Sequence, residues 1–153
     1  MPEPPKQKKL TLALFYCQHT PESGKQDRQS LEEKYGKSIR LFPIPCSGRL
    51  EPLHLLRALE EFADAAYVIT CPEGECRYFE GNLRAKKMAQ RTREIIESIG
   101  LEGERIGIVM NKPPKSLARQ ADEIMENTLQ LSRSPVLSPH RAQQEKGERR
   151  DNC

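Results

Sequence analysis

The chain has 153 residues, of which 36% are hydrophobic and 31% charged, and its formal net charge is +3. This length favours one domain of about 100–130 ordered residues, and the composition argues against wholesale disorder. The nearly balanced charges and the absence of Trp argue against a nucleic-acid-binding surface. No apolar stretch approaches the roughly 20 residues of a membrane span, and residues 1–9 lack the apolar segment of a secretory signal. We therefore expect a cytoplasmic domain with a flexible lead at residues 1–9.

Strands and helices are predicted to alternate along the first half of the chain. Leu10–Tyr16 is a short apolar run that predicts a strand, and residues 18–37 predict a loop with a short helix. Ile39–Ile44 predicts a second strand, in which Pro43 favours an edge position because proline cannot donate a ladder hydrogen bond. Apolar residues at helical spacing in Glu51–Ala65 predict an amphipathic helix.

The second half repeats this alternation. Two further strands and two further helices are predicted at Ala66–Thr70, Ile106–Met110, Asn82–Ile99 and Ser116–Leu131. Such alternation predicts an α/β fold with a small, open, mostly parallel sheet and helices on both faces, as in Rossmann and flavodoxin-like proteins. The expected domain spans residues 10–131, and the polar residues 132–153 predict a disordered tail.

Four of the five cysteines are predicted to lie at one edge of this sheet. Cys17, Cys46 and Cys71 stand at the ends of the first three strands, and Cys76 lies five positions after Cys71. Because parallel strands end at the same edge, where α/β proteins bind ligands, these thiols are expected to converge. Converging thiolates are typical of zinc, copper(I) or iron–sulfur sites. Cys153 ends the polar tail and is not expected to take part.

The spacing of these cysteines suits an iron–sulfur cluster better than structural zinc. Structural zinc commonly uses paired, short C-x2–4-C motifs, whereas one C-x4-C pair here combines with two single cysteines. A 2Fe–2S cluster needs two cysteines per iron and tolerates scattered ligands. Gly48 and Gly74, in the adjoining turns, are expected to bring backbone N–H groups close to the cluster. Each cysteine taken alone is better explained as a small buried hydrophobic residue.

Several segments resemble the delta subunit family of methyl-viologen-reducing hydrogenase, also called the hydrogenase iron–sulfur subunit. They are PCSGR at residues 45–49, CPEGECRYFEGNLRAKK at 71–87 and IGLEGERIGI at 99–108. The resemblance implies an electron-transfer subunit with a 2Fe–2S cluster and no activity alone, in which Cys17, Cys46, Cys71 and Cys76 match the family's cysteines. It also implies two kinds of partner: a flavin-containing heterodisulfide-reductase A-like protein, and a hydrogenase, formate dehydrogenase or other oxidoreductase module.

The chain departs from the family pattern in three places. The family commonly has C-x2-C after the first strand, and Thr20 replaces the second of these cysteines. Thr70 stands where the family usually has glycine before Cys71, and the residues after Met110 diverge. His19 is a further candidate ligand if the missing cysteine is essential. We interpret it as a polar loop residue, because four thiolates already complete a site.

Two other functions use the same cysteines. The first is a scaffold subunit stabilised by zinc, which differs in colour because zinc proteins are colourless and 2Fe–2S proteins are red-brown. The second is a thiol-dependent reductase or phosphatase with Cys17 as its nucleophile. The next Lys or Arg after Cys17 is Lys25, beyond an acidic, proline-containing stretch. This arrangement does not favour an activated thiolate.

Overall fold

The structure is a computed structural model that describes residues 10–18, 24–70, 81–110, 116–131 and 134–135. Within these ranges the strands are β1 (Leu12–Cys17), β2 (Ile39–Ile44), β3 (Ala65–Thr70) and β4 (Ile106–Met110). The helices are α1 (Lys25–Tyr35), α2 (Pro52–Glu61), α3 (Gly81–Ser98) and α4 (Leu117–Thr128). Short 3₁₀ turns lie at Gly36–Ser38, Ser47–Arg49 and Gly103–Arg105. Every helix in the described ranges is too short or too polar to cross a lipid bilayer.

The four strands form one parallel sheet in the order β2-β1-β3-β4. The predicted α/β fold with an open parallel sheet is therefore confirmed. From β1 the chain builds the sheet first toward β2 and then, on the other side, toward β3 and β4. This reversal places the topological switch point between β1 and β3, and open α/β sheets bind ligands outside the carboxyl ends of the strands at such a point.

Helices cover both faces of the sheet. Helices α2 and α3 pack on the face that contains Ala13 and Phe15 of β1. Helices α1 and α4 pack on the opposite face, with Leu12, Leu14 and Tyr16. Every residue of β1 is buried, since the strand is central and covered on both sides. This double burial explains why its sequence is a continuous apolar run rather than an alternating one.

The element boundaries differ from the predicted ones in a few places. Cys17 is the last residue of β1 instead of the residue after it. Helix α2 ends at Glu61, four residues earlier than predicted, because the chain turns at Ala63 and Asp64 to enter β3. Pro43 lies on β2, which is an edge strand of the sheet as predicted. The buried Ser134 lies beyond the predicted domain boundary, and its N–H donates to Asp64 Oδ1 at 2.8 Å.

Three tyrosines are expected to titrate late in the folded protein. Burial is the main cause that raises the pKa of Tyr16, Tyr35 and Tyr67 above the ordinary value of 10.0. The Tyr35 hydroxyl also donates to Asp122, whose negative charge raises the pKa of Tyr35 further. A pKa raised by folding stabilises the folded state below pH 10 and loses this effect as the pH rises through the folded pKa.

We expect tyrosinate absorbance at 295 nm to appear at higher pH in the native chain than in the chain unfolded by guanidinium. Tyr35→Phe is expected to remove the most delayed component, because the largest rise in pKa belongs to Tyr35. A native chain whose tyrosines all titrate reversibly near pH 10 would contradict this prediction.

Candidate metal centre

Two neighbouring strands place Cys17 and Cys46 at the carboxyl edge of the sheet. Cys17 pairs with Ile44, the last residue of β2, and Cys46 follows two residues later. Only 2% of Cys17 and 6% of Cys46 is exposed. The Cys17 thiol donates a weak hydrogen bond to the carbonyl oxygen of Pro45, with 4.0 Å between sulfur and oxygen. The structure thus brings these two predicted residues to one corner of the molecule.

Backbone hydrogen bonds fix the positions of both cysteines. The Gln18 N–H donates to the Ile44 carbonyl at 2.8 Å, so the pairing of β1 with β2 continues past Cys17. The Arg49 N–H donates to the Cys46 carbonyl at 3.1 Å and closes the 3₁₀ turn Ser47–Arg49. Ligands on such a rigid framework lose little conformational entropy when they bind a metal.

The end of β3 lies beside Cys17. Ile69 pairs with Tyr16 in the register of β1 and β3, so the chain leaves β3 next to the end of β1. Thr70 is fully buried and ends β3. Because side chains alternate along a strand, Cys17 and Thr70 both belong to the face covered by α2 and α3. The residue after Thr70 is Cys71, so β3 directs the chain to the switch point at this position.

The remaining predicted site residues lie outside the described residues: Cys71, Cys76, Gly74, His19, Thr20 and Cys153. Their participation therefore stays a prediction. In the part of the chain that the structure describes, no three His, Cys, Asp or Glu side chains lie close enough together to hold a metal ion. The two described donors, Cys17 and Cys46, are buried thiols at adjacent strand ends. Their chemistry fits iron or another thiophilic metal.

Gly48 lies against the first residue of α3. A Cβ atom placed on Gly48 would be 2.7 Å from the Gly81 Cα, closer than real Cβ atoms come to other atoms. The sequence predicted a close approach of the Gly48 backbone to a cluster, and the structure shows an approach to α3. Gly81 was not among the predicted site residues. Its only signal in the sequence is a glycine at the start of a helical pattern, where glycine is a poor helix former.

A basic surface on α3 lies next to this edge. Arg84, Lys86, Lys87 and Arg91 are exposed, and Lys86, Lys87 and Arg91 line a groove of about 560 Å³ between α3 and Ile108 of β4. Arg93 borders the same groove and donates from Nη2 to the Ile106 carbonyl at 2.8 Å. These cations lie on the helix that follows the C-x4-C segment, where positive charge favours anionic thiolate groups.

Comparison with known proteins gives consistent matches. A family model described as the delta subunit of methyl-viologen-reducing hydrogenase matches residues 12–132. The D-type iron-sulfur subunit of the vhu F420-non-reducing hydrogenase of Methanopyrus kandleri is 36% identical over 75 residues, 49% of this chain and 57% of that protein. The D-type iron-sulfur subunit of the F420-non-reducing hydrogenase of Archaeoglobus profundus is 35% identical over 77 residues, 50% of this chain and 56% of that protein.

A match of a second kind comes from a larger protein. The A-type subunit of the ferredoxin:CoB-CoM heterodisulfide reductase of Methanosarcina mazei is 40% identical over 72 residues, which are 47% of this chain but 9% of that protein. The chain spans about half the length of the curated hydrogenase subunits it matches. A segment similar to part of this chain thus occurs both in small hydrogenase subunits and within a larger subunit of a heterodisulfide reductase.

Proposed function

Because the chain belongs to the delta subunit family of methyl-viologen-reducing hydrogenase, we propose that it is an electron-transfer subunit with an iron–sulfur cluster. The main support is the position of Cys17 and Cys46, buried side by side at the carboxyl edge near the switch point. The proposed cluster is of the 2Fe–2S type, with Cys17, Cys46, Cys71 and Cys76 as ligands. The relatives named iron-sulfur subunits support the presence of a cluster.

The residues of the chain hold and shield such a group. When bound, a 2Fe–2S cluster supplies one-electron redox chemistry. Cys17 and Cys46 provide thiolates from a hydrogen-bonded framework that does not need to rearrange. The apolar face beneath them, which includes Phe15 and Val68, excludes water from one side. Burial and backbone hydrogen bonds near the sulfurs are the means by which a protein adjusts a reduction potential.

The proposed partners are redox proteins. The relatives named hydrogenase subunits support a hydrogenase, formate dehydrogenase or other oxidoreductase module on one side. The similar segment within the A-type subunit of a heterodisulfide reductase supports a flavin-containing partner of that type on the other. A cytoplasmic location is part of the proposal, because reduced thiols persist in a reducing compartment.

Cys17 is poorly placed to be a nucleophile. It is 2% exposed and ends a central strand that is buried on both faces. Reactive cysteines are usually partly exposed in electropositive surroundings, so this burial argues against a thiol-dependent reductase or phosphatase. The zinc-stabilised scaffold uses the same thiolates as the proposed cluster, and only the metal content separates these two functions.

Anaerobic purification of the full chain tests the proposed function. We expect a red-brown protein with about two irons and about two acid-labile sulfides per chain. Reduction with dithionite is expected to produce an EPR signal, since the reduced cluster has an unpaired electron. A colourless protein that contains zinc would replace the proposal with the scaffold. A colourless protein that stays free of metal after reconstitution with iron and sulfide would overturn both.

A further inference from the structure

We propose that Gly48 and Gly81 form a positioning contact that sets where Cys46 lies relative to the segment with Cys71 and Cys76. The inference rests on the proposed function in one respect, that these cysteines bind one metal group. It assigns Gly48 a role different from a direct backbone contact with that group. It also adds Gly81, on a different element, to the residues on which the site depends.

The steric evidence concerns two backbones. A Cβ on Gly48 would be 2.7 Å from the Cα and 3.2 Å from the carbonyl oxygen of Gly81. Both are backbone atoms, which cannot rotate away as the end of a flexible side chain can. The φ angle of Gly48 is outside the left-handed region, unlike the φ angles of Gly36 and Gly100. Gly48 must therefore be glycine because of this close approach, and not because of a turn conformation.

Both sides of the contact are held by the fold. The Ser47–Arg49 turn is closed by the hydrogen bond to the Cys46 carbonyl, and Leu50 after it is buried in the core. On the helix, Gly81 is buried and Ala85, one turn further along, is fully buried. Small residues at these helix positions let the turn pack closely on α3. Neither element can move away freely to accept a larger residue.

The contact lies where the two halves of the site meet. The chain leaves β3 at Thr70 beside Cys17 and returns at Gly81 beside the turn that follows Cys46. Cys46 is two residues from Gly48, a reach of about 7 Å at most. The segment with Cys71 and Cys76 is thus connected at one end to the neighbourhood of Cys17 and at the other to that of Cys46. Its second attachment is the contact between Gly48 and Gly81.

The size of the clash indicates how strongly a substitution should act. Ordinary contact begins at 3.4 Å, so a Cβ at 2.7 Å requires the two backbones to separate by several tenths of an ångström. Metal–ligand distances in functional sites keep within about 0.2 Å of their usual values. A methyl group on Gly48 therefore displaces the ligands by more than a well-formed site tolerates, even where the fold itself adapts.

Gly48→Ala in the full chain tests this inference, with two matched glycine-to-alanine controls. A Cβ on Gly24 would meet only Asp27 Oδ2, at an ordinary 3.5 Å, so Gly24→Ala introduces no clash. A Cβ on Gly107 would clash with the Tyr67 ring, on β4 and away from the cysteines. Gly107→Ala therefore reproduces the overcrowding without touching the proposed contact, and it separates positioning from general loss of stability.

Two measurements are made on each variant. Iron and sulfide per chain, with the EPR spectrum, report the assembled cluster. Titration of the metal-free chain with Co²⁺, followed by the thiolate-to-cobalt absorption band, reports convergence of the thiols without any iron chemistry. For Gly48→Ala we expect lower iron content, an altered EPR line shape and a Co²⁺ affinity that falls about tenfold. Gly24→Ala and Gly107→Ala are expected to match the wild type in all three.

Each outcome separates this inference from the proposed function. Normal iron content, EPR spectrum and Co²⁺ affinity in Gly48→Ala would overturn the positioning contact and leave the electron-transfer proposal intact. A wild type that forms no cluster but binds Co²⁺, with weaker binding in Gly48→Ala alone, would do the reverse. A wild type that binds neither iron nor Co²⁺ through thiolates would overturn both.

Hydrogen exchange on the wild type serves if Gly48→Ala does not fold. Metal binding is expected to slow exchange together at Arg49 and Leu50 and in the first turn of α3, because the contact joins these segments. Slower exchange near the cysteines, with no change at the start of α3, would overturn the inference.

Discussion

Replacing Asp64 by alanine is expected to lower the free energy of unfolding by about 3–5 kcal/mol. Asp64 is fully buried between α2 and β3. Its Oδ2 accepts the Thr11 N–H and its Oδ1 accepts the Ser134 N–H, each at 2.8 Å. Alanine leaves two backbone donors without these acceptors, and each buried donor left unsatisfied costs about 1–3 kcal/mol.

Asp64 also lies next to a buried arginine, which adds to the expected effect. Its carbonyl oxygen accepts from Arg105 Nη1 at 2.9 Å, and Arg105 is fully buried. The Arg105 Nε donates to Glu102 at 2.7 Å. One turn therefore connects the start of β1, the start of β4 and Ser134. A backbone shift at Asp64 disturbs all three, so the loss is expected to exceed that of one hydrogen bond.

Urea unfolding followed by circular dichroism measures this loss. Asp64→Asn keeps one carbonyl oxygen as an acceptor and is expected to lose about half as much stability. Truncation after Arg133 removes the Ser134 donor, and Asp64→Ala should then cost less in the truncated chain than in the full one. An Asp64→Ala variant within about 0.5 kcal/mol of the wild type would show that these bonds do not contribute to stability.

The strands and the fold class followed from sequence because the sheet is buried on both faces. Continuous apolar runs such as β1 carry a strong signal, and their ends were predicted within about two residues. The end of α2 was predicted four residues late. Apolar residues continue past Glu61, and the local pattern contains nothing that shows Asp64 accepting the N–H of the distant Thr11. Long-range hydrogen bonds of this kind set element ends without leaving a periodic signal.

The candidate site could be predicted only as far as strand ends allow. Cys17 and Cys46 share an edge because both strands are parallel, a rule that applies without knowledge of the strand order. The order itself, with β1 between β2 and β3, is a property of the packed molecule. The approach of Gly48 to Gly81 depends on a turn packing against a helix more than 30 positions away in the sequence. No spacing rule contains this contact.

Replacing Cys17 or Cys46 by alanine is expected to reduce the iron content to about a tenth of the wild-type value or less. Alanine removes the thiolate and leaves one iron without a ligand. It is small and apolar, so it suits these buried positions, and the metal-free chain should keep its circular dichroism spectrum. Serine is less informative, because its oxygen can serve as a weaker ligand.

The same prediction extends to Cys71 and Cys76, and two further variants act as controls. Cys153→Ala is expected to retain full iron content, because Cys153 ends the predicted tail. His19→Ala is also expected to retain it, because four thiolates complete a 2Fe–2S site without an imidazole. Loss of iron in His19→Ala would instead assign His19 the place that Thr20 leaves open. Full iron content in Cys17→Ala would contradict the proposed ligand set, since a cluster assembled without Cys17 would not lie at the switch point between β1 and β3.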